Sequence, residues 1–311
     1  MMLERRLAFQ LPMARGTDVR TAQLALIRAG ALRADADGVF GPATRDAVVG
    51  FQRREGLNAD GVIGLATWAR LVGQPALVRE RPWREGLRPF VPALLEWHGA
   101  PVGAGRNRWR LTKAGIEIEG EARSRRNAAS RVATACWSAH RGALEPAARR
   151  FAVPVELLLA TACTESAGRA DAVREEPGYI TDQTTPHRVS PGLMQTLIAT
   201  AREALADPAL DRGALLDPMV SAMAGAAFLR RQAQSGRAPT GFDPPLVAIA
   251  YNAGSLRIDR DPDNSWGLIQ TRRGSGWHAD SFSAFLGDAY ALFAAGDPPG
   301  EDVPSFWGML S

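Results

Sequence analysis

The chain has 311 residues, of which 46% are hydrophobic, and a formal net charge of +4. This length predicts two or three folded units, and this apolar content is sufficient for globular cores. No apolar run reaches the ~18 residues of a membrane span. The two cysteines and four histidines show no disulfide framework or metal-ligand spacing, which argues against a zinc hydrolase.

The N-terminal residues 1–16 are predicted to be a tail. They contain basic residues but no apolar segment suited to a secretory signal, so we expect synthesis in the cytoplasm without a signal peptide. A protein of this kind that acts outside the cell would need another route of release.

Residues 17–75 contain an internal repeat. Asp37-Gly-Val-Phe-Gly-Pro-Ala-Thr recurs as Asp60-Gly-Val-Ile-Gly-Leu-Ala-Thr. In each copy Asp-Gly favours a tight turn, and the threonine can begin a helix. Apolar residues at helical spacing before, between and after the copies predict three short helices joined by Asp-Gly loops.

This repeat resembles the three-helix peptidoglycan-binding domain of many cell-wall hydrolases. The resemblance implies binding to glycan-linked stem peptides. It rests on turn glycines, helix starts and core apolar residues, which indicate the domain more than its ligand groove. The matching residues are Asp18-Val19, Gln23, Asp37–Gly41, Thr44, Ala47-Val48, Phe51-Gln52, Gly56-Leu57, Asp60–Gly64, Thr67-Trp68 and Leu71.

Residues 76–122 are predicted to be a basic connector. Residues 76–150 carry 15 basic and 7 acidic residues, which favours an anionic partner or reflects a solvated, arginine-rich surface. Prolines and a glycine-rich stretch at 99–105 interrupt any helix, and alternation at Ile116 and Ile118 allows a short β element. Nucleic-acid binding is not expected, because aromatic residues are not interleaved with the basic ones.

Residues 151–168 are predicted to form one helix. Pro154 suits the first turn, and Gly168 can supply the left-handed residue that ends many helices. Glu165 lies at helical spacing from three apolar residues of this segment. Poor solvation would favour its protonated form, as a general acid requires; alternatively, the helix frays and Glu165 points into water.

Three short motifs follow in order, namely Glu165-Ser166, Gly192-Leu-Met-Gln195 and Ala250-Tyr-Asn-Ala-Gly254. Each alone is a weak signal, since Gly-Leu-Met-Gln is typical of an ordinary helix start and Tyr-Asn-Ala-Gly of an ordinary helix end. Together with Leu216-Asp-Pro and Gly225 they resemble the lytic transglycosylases of the lysozyme-like superfamily. We therefore predict a mainly α chain that ends in a lysozyme-like domain (α+β, helix-dominated) at residues 123–311.

The resemblance implies a peptidoglycan lytic transglycosylase. Such an enzyme cleaves the β-1,4 bond between N-acetylmuramic acid and N-acetylglucosamine, and one glutamate acts first as acid and then as base to form a 1,6-anhydro ring. Glu165 takes this role by motif match, and no metal or cofactor is implied. The positions that match substrate-binding residues are Ser166, Met194, Gln195, Tyr251 and Asn252. Tyr251 is expected to hydrogen-bond near the acid, or else to be a core aromatic with a satisfied hydroxyl.

The spacing departs from that family. Gln195 follows Glu165 by 30 residues, roughly a dozen more than usual, and Ser221-Ala222 stands where Asn-Ile is usual. An acid of the inserted loop about 6.5–9.5 Å from Glu165 could position a water, as in goose-type lysozymes, and make the enzyme an inverting muramidase. The candidates are Glu175, Glu176 and Asp182, with Asp171 beside them; alternatively, these are solvated loop charges.

These features together predict a modular, phage endolysin-like enzyme. It is expected to be a monomer without a membrane span, to act on glycan strands and stem peptides, and to reach the cell wall after release or on a virion. The alternative of another class is a catalytically silent wall-binding or phage structural protein. Such a protein would keep the fold without needing Glu165 buried and protonated.

Overall fold

The computed structural model describes residues 5–72, 82–101, 105–127, 131–236, 238–274 and 276–310. Contacts divide the chain into two compact units, one formed by residues 1–81 with 205–207 and the other by 82–204 with 208–311. The predicted boundary between residues 75 and 76 and part of the predicted loop 99–105 lie outside the described residues. No helix in the described part is long and apolar enough to cross a membrane.

The first unit contains the three predicted helices. They are α1 (Thr17–Arg28), α2 (Pro42–Arg54) and α3 (Leu65–Val72). Each Asp-Gly loop precedes a helix, as the repeat indicates, so the three-helix prediction for this part of the chain is confirmed.

A buried glutamine organises each copy of the repeat. The Gln52 amide nitrogen donates to Asp60 Oδ1 at 2.8 Å, Val62 O at 2.9 Å and Thr67 Oγ1 at 3.0 Å. Its carbonyl oxygen accepts from the Gly61 backbone N–H at 2.8 Å. One side chain therefore satisfies the turn that the Asp-Gly pair makes. The first copy repeats these contacts around Gln23 with Asp37, Val39, Thr44 and Gly38.

Residues 5–16, predicted to be a tail, belong to the first unit. Leu7 forms an antiparallel bridge with Ile63, and Arg15 forms one with Val39. Leu7 and Phe9 are buried. Short bridges of this kind have no periodic pattern of their own, which is why the sequence does not reveal them.

In its described residues, the second unit is mainly helical with three small sheets. Its helices are α4 (Pro82–Leu87), α5 (Val91–Leu95), α6 (Arg131–Phe151), α7 (Val155–Ser166), α8 (Ile198–Leu205), α9 (Arg212–Leu215), α10 (Pro218–Ala233), α11 (Pro244–Ala253), α12 (His278–Ala294) and α13 (Trp307–Leu310). Its strands are β1 (His98–Gly99), β2 (Arg108–Thr112), β3 (Gly115–Ile118), β4 (Val173–Glu175), β5 (Val189–Pro191), β6 (Arg272–Arg273) and β7 (Gly276–Trp277), and a 3₁₀ turn spans Pro186–Arg188.

The segment predicted to be a connector is, from residue 82 onward, part of this second unit. Strands β1, β2 and β3 form an antiparallel sheet in that order, with Trp109 opposite Ile118 and Leu111 opposite Ile116. These four side chains are buried, and β3 packs against α12. The short β element is therefore present, and its buried face attaches the segment to the helices.

Helix α7 lies at the centre of the second unit, where α6, α10, α11 and α12 contact it. Every other residue of α7 is buried, and Glu165 is partly exposed as a whole residue while its side chain is only 5% exposed. The helix is shorter than predicted, because Ala152 takes a left-handed conformation and leaves Phe151 at the end of α6. The helix ends in a left-handed conformation, as predicted, and both Ala167 and Gly168 adopt it.

Candidate active site

A cleft of about 500 Å³ opens at the C-terminal end of α7. Its lining includes Glu165, Ser166 and Gln195, which the motifs single out, together with Arg174 and Phe285. The cleft therefore combines one carboxyl group with cationic, polar and aromatic surface, and such convergent polar groups are typical of a ligand-binding site.

Glu165 is held in this cleft by a histidine that the sequence reasoning missed. Glu165 Oε1 lies 3.1 Å from His278 Nε2, and the two side chains are 5% and 1% exposed. His278 is the first residue of α12. No motif connects these two positions in the sequence, because the contact depends on how α12 packs against α7.

The turn at Gly192–Gln195 is fixed against α7 and α10 by hydroxyl groups. The Ser166 hydroxyl donates to Leu193 O at 2.7 Å. The Met194 backbone N–H donates to the Ser221 hydroxyl at 3.0 Å. Gly192 has φ 84°, and a Cβ there would lie 1.9 Å from the Leu215 carbonyl oxygen, so only glycine fits.

Gln195 and Met194 face different surroundings. Gln195 is itself left-handed with φ 48°. Its amide nitrogen donates to Ala172 O at 3.0 Å and to Gly192 O at 2.9 Å, which ties the turn to the loop before β4. The Met194 side chain is fully buried and packs against Gly225, where a Cβ would lie 2.6 Å from its methyl group. Gln195 thus lines the cleft while Met194 fills the core beneath it.

Tyr251 supports the same turn from α11. Its hydroxyl lies 2.7 Å from Thr196 Oγ1 and donates to Met194 O at 2.9 Å. Burial, together with the nearby charge of Glu165, raises the pKa of Tyr251 well above its usual range. Tyr251 therefore lies within electrostatic reach of Glu165, and its hydroxyl is satisfied by the turn.

Asn252 connects α11 to the segment before α12. Its side-chain oxygen accepts from the Thr271 backbone N–H at 2.7 Å and from the Thr271 hydroxyl at 2.9 Å. The Thr271 carbonyl oxygen in turn accepts from the His278 backbone N–H at 3.0 Å. Asn252 thus helps to place the residue that contacts Glu165.

The candidate second acids are paired with arginines. Arg212 donates to Glu175 at 2.9 Å and to both oxygens of Asp182 at 2.8 and 3.0 Å. The hydrogen bonds from Arg212 hold the pKa of the Asp182 carboxyl below its usual range. Glu176 lies 2.9 Å from the Arg174 guanidinium.

Asp171 is paired in the same way, with the Arg169 guanidinium 3.3 Å away. Arg169 and Arg174 both line the cleft, in which Glu165 is the one acidic residue among the described lining residues. The inserted loop therefore brings positive charge to the wall of the cleft.

Two family models match the chain. Residues 15–71 match the model of the peptidoglycan binding domain, and residues 143–267 match the Transglycosylase SLT domain. The chain thus carries both domains to which the motifs pointed, and the predicted resemblance and fold class are confirmed. The three catalytic-domain motifs fall within the second match, whereas His278 lies beyond it.

The chain is also similar to two individual proteins. It is 54% identical over 37 residues to an uncharacterized protein in the bpoA1 3′ region of Kitasatospora aureofaciens, a match that covers 12% of this chain and about a third (31%) of that protein. A crystal structure of Burkholderia AP3 phage endolysin aligns over 80% of this chain and 87% of that chain, with 20% sequence identity and a TM-score of 0.21.

Proposed function

We propose that this chain is a peptidoglycan lytic transglycosylase in which Glu165 cleaves the β-1,4 bond between N-acetylmuramic acid and N-acetylglucosamine. The observation that carries the proposal is the position of Glu165 within the SLT match, where its side chain is 5% exposed and lines a cleft. A carboxyl shielded from water at the end of a buried helix is a suitable general acid for a glycosidic oxygen.

Glu165 serves in both halves of the reaction. The protonated carboxyl first gives its proton to the bridging oxygen, and the C1–O bond of the muramic acid breaks through an oxocarbenium-like state. The carboxylate then removes the proton from the 6-hydroxyl of the same sugar while that oxygen bonds to C1. The 1,6-anhydro ring closes, Glu165 regains its proton, and no water is consumed.

The ion pairs of the inserted loop support a single-carboxylate mechanism. Glu175, Glu176 and Asp182 each contact an arginine, which competes with any water for their oxygens. An inverting muramidase would instead need one of them to activate a water across the cleft. The two reactions give products that differ by one water, so they are readily distinguished.

Mass spectrometry of products from purified peptidoglycan tests the proposal. The wild type should release anhydro-muramyl products that carry no label in H₂¹⁸O, and Glu165→Gln should release none. Glu203→Gln, which removes a surface carboxyl paired with Arg231, is the matched control and should behave as the wild type. Labelled, reducing-end muramyl products would favour the muramidase, and Asp182→Asn and Glu175→Gln would then locate its second acid.

The first unit is proposed to hold the enzyme on its substrate. Its match to the peptidoglycan-binding domain supports binding to glycan-linked stem peptides, which raises the local concentration of cleavable bonds. The site of action is accordingly the cell wall. Full-length Glu165→Gln should sediment with purified wall and be released by soluble stem peptide. Sedimentation without product release by the wild type would instead favour a silent wall-binding protein.

A further inference from the structure

We infer that His278 is a positioning residue for Glu165, an inference that rests on the proposed function. With its proton on Nε2, His278 donates a hydrogen bond to Glu165 Oε1 through the whole reaction and leaves Oε2 to carry the labile proton. This residue lies outside the motifs and beyond the SLT match.

The backbone at His278 is fixed by hydrogen bonds from two consecutive N–H groups. Its backbone N–H donates to Thr271 O at 3.0 Å, and Thr271 is held by Asn252. The next backbone N–H, of Ala279, donates to the Gln270 side-chain oxygen at 2.9 Å. The imidazole therefore approaches Glu165 from a rigid helix start, which is the support that a positioning residue needs.

The surroundings of the other ring nitrogen select the tautomer. His278 Nδ1 is buried and makes no hydrogen bond to any residue in the described part of the chain. A neutral imidazole has one donor and one acceptor nitrogen. A proton on Nδ1 would be a buried donor without an acceptor. An imidazolium would have the same unpaired donor and would also place a positive charge in the buried site. The proton consequently belongs on Nε2, where Glu165 accepts it at 3.1 Å.

Only this tautomer suits both halves of the reaction. When Glu165 is protonated, Oε1 is a carbonyl-type oxygen that accepts from Nε2–H, so the labile proton must be on Oε2. When Glu165 has given up its proton, the same hydrogen bond becomes charge-assisted and stronger. An interaction that strengthens as charge develops lowers the barrier. A bare Nε2 lone pair would instead repel the newly formed carboxylate.

Three substitutions at one position test this role. His278→Gln places an amide N–H near the position of Nε2, His278→Asn places it near Nδ1, and His278→Leu removes it. Release of anhydro-products from soluble, uncross-linked glycan strands gives kcat and KM for each. We expect His278→Gln to keep kcat within about fivefold of the wild type, and the other two to lose about 10²-fold with KM unchanged.

Equal kcat values in all four proteins would overturn the inference. Equal losses in all three variants, with KM or the melting temperature changed as well, would also overturn it, because they would indicate a structural role only. Should His278→Asn or His278→Leu fail to fold, the recovery of kcat by His278→Gln still decides the question.

A second measurement does not depend on activity. ¹⁵N NMR of the labelled imidazole in the whole chain should show the His278 proton on Nε2 at pH 7, and a proton on Nδ1 would overturn the inference. The Glu165→Gln variant distinguishes failure of this inference from failure of the proposed function. Inactive Glu165→Gln beside fully active His278 variants refutes this inference alone. A wild type that releases no product overturns the proposed function, and with it any catalytic role for His278.

Discussion

The buried carboxyl of Glu156 should make the second unit less stable as the pH rises. Glu156 lies in the first turn of α7, the helix that carries Glu165 at its other end. It accepts hydrogen bonds from the Trp307 backbone N–H at 3.0 Å and from the Tyr290 hydroxyl at 3.4 Å. The side chain is fully buried, and this burial raises its pKa from 4.5 to about 6.

The sign and size of the effect follow from this shift. Because the folded state holds the proton more tightly than the unfolded chain, the contribution of Glu156 to stability is complete below pH 4.5 and is lost as the pH rises through about 6. A difference of about 1.5 pKa units corresponds to about 2 kcal/mol in the free energy of unfolding. Glu156→Gln remains neutral throughout and should lack this loss.

Urea unfolding from pH 4 to pH 8 measures the effect. Of the eight tryptophans, only Trp68 lies in the first unit, so tryptophan fluorescence reports mainly on the second. The free energy of unfolding of Glu156→Gln, relative to the wild type, should rise by about 2 kcal/mol between pH 4 and pH 8. Glu203→Gln controls for the loss of a carboxyl at the surface. A difference that stays constant with pH, or that falls, would refute the reasoning.

Three further predictions concern other parts of the chain. Gln52→Leu removes four hydrogen bonds of this loop and the acceptor of the Gly61 backbone N–H, so it should destabilise the first unit by about 1–3 kcal/mol; hydrogen exchange as slow as in the wild type around this loop would contradict this. The His98 Nε2–H donates to Asp243 Oδ2 at 2.8 Å. Although burial opposes its charged form, this bond raises the pKa of His98, so His98→Gln should cost stability below pH 6.5 and progressively less as the pH rises through the raised value; a pH-independent cost in urea unfolding would disprove it. Cys136 and Cys163 are buried and free, and the contact with Cys136 together with burial raises the pKa of Cys163, so a thiol reagent should react only after unfolding; rapid reaction of the native chain would refute this.

The fold and the candidate site are best predicted from the sequence where function imposes a local pattern. The Asp-Gly repeats are local because one glutamine in each copy satisfies one turn 8 or 14 residues further along the chain. The motif at Glu165 is equally readable, since one helix places the carboxyl. The helical spacing of Glu165 from apolar residues does not by itself explain why its side chain is shielded, because α7 is buried on all sides. The burial of Glu165 follows from its position in the centre of the unit, which periodicity does not reveal.

The features that the sequence did not indicate are long-range contacts. Residues 82–122 look like a connector because prolines interrupt them, yet the Trp109 indole N–H donates to Asp243 at 2.8 Å and the ring packs on Trp266. Leu7 pairs with Ile63, although most of the sequence of the first unit lies between them. His278 contacts Glu165 through the packing of two helices. Each of these contacts joins segments whose own patterns say nothing about their partners.

Several of the motif residues hydrogen-bond to backbone groups around the cleft, and this makes the motifs recognisable. Ser166 holds Leu193 O, Tyr251 holds Met194 O, and Asn252 holds Thr271. A side chain that satisfies a buried carbonyl or N–H at one fixed distance tolerates few replacements, whereas a side chain that contacts a sugar through solvent tolerates more. In the proposed mechanism these three residues fix the backbone around the cleft, and the proton chemistry then requires only Glu165 and the histidine that orients it.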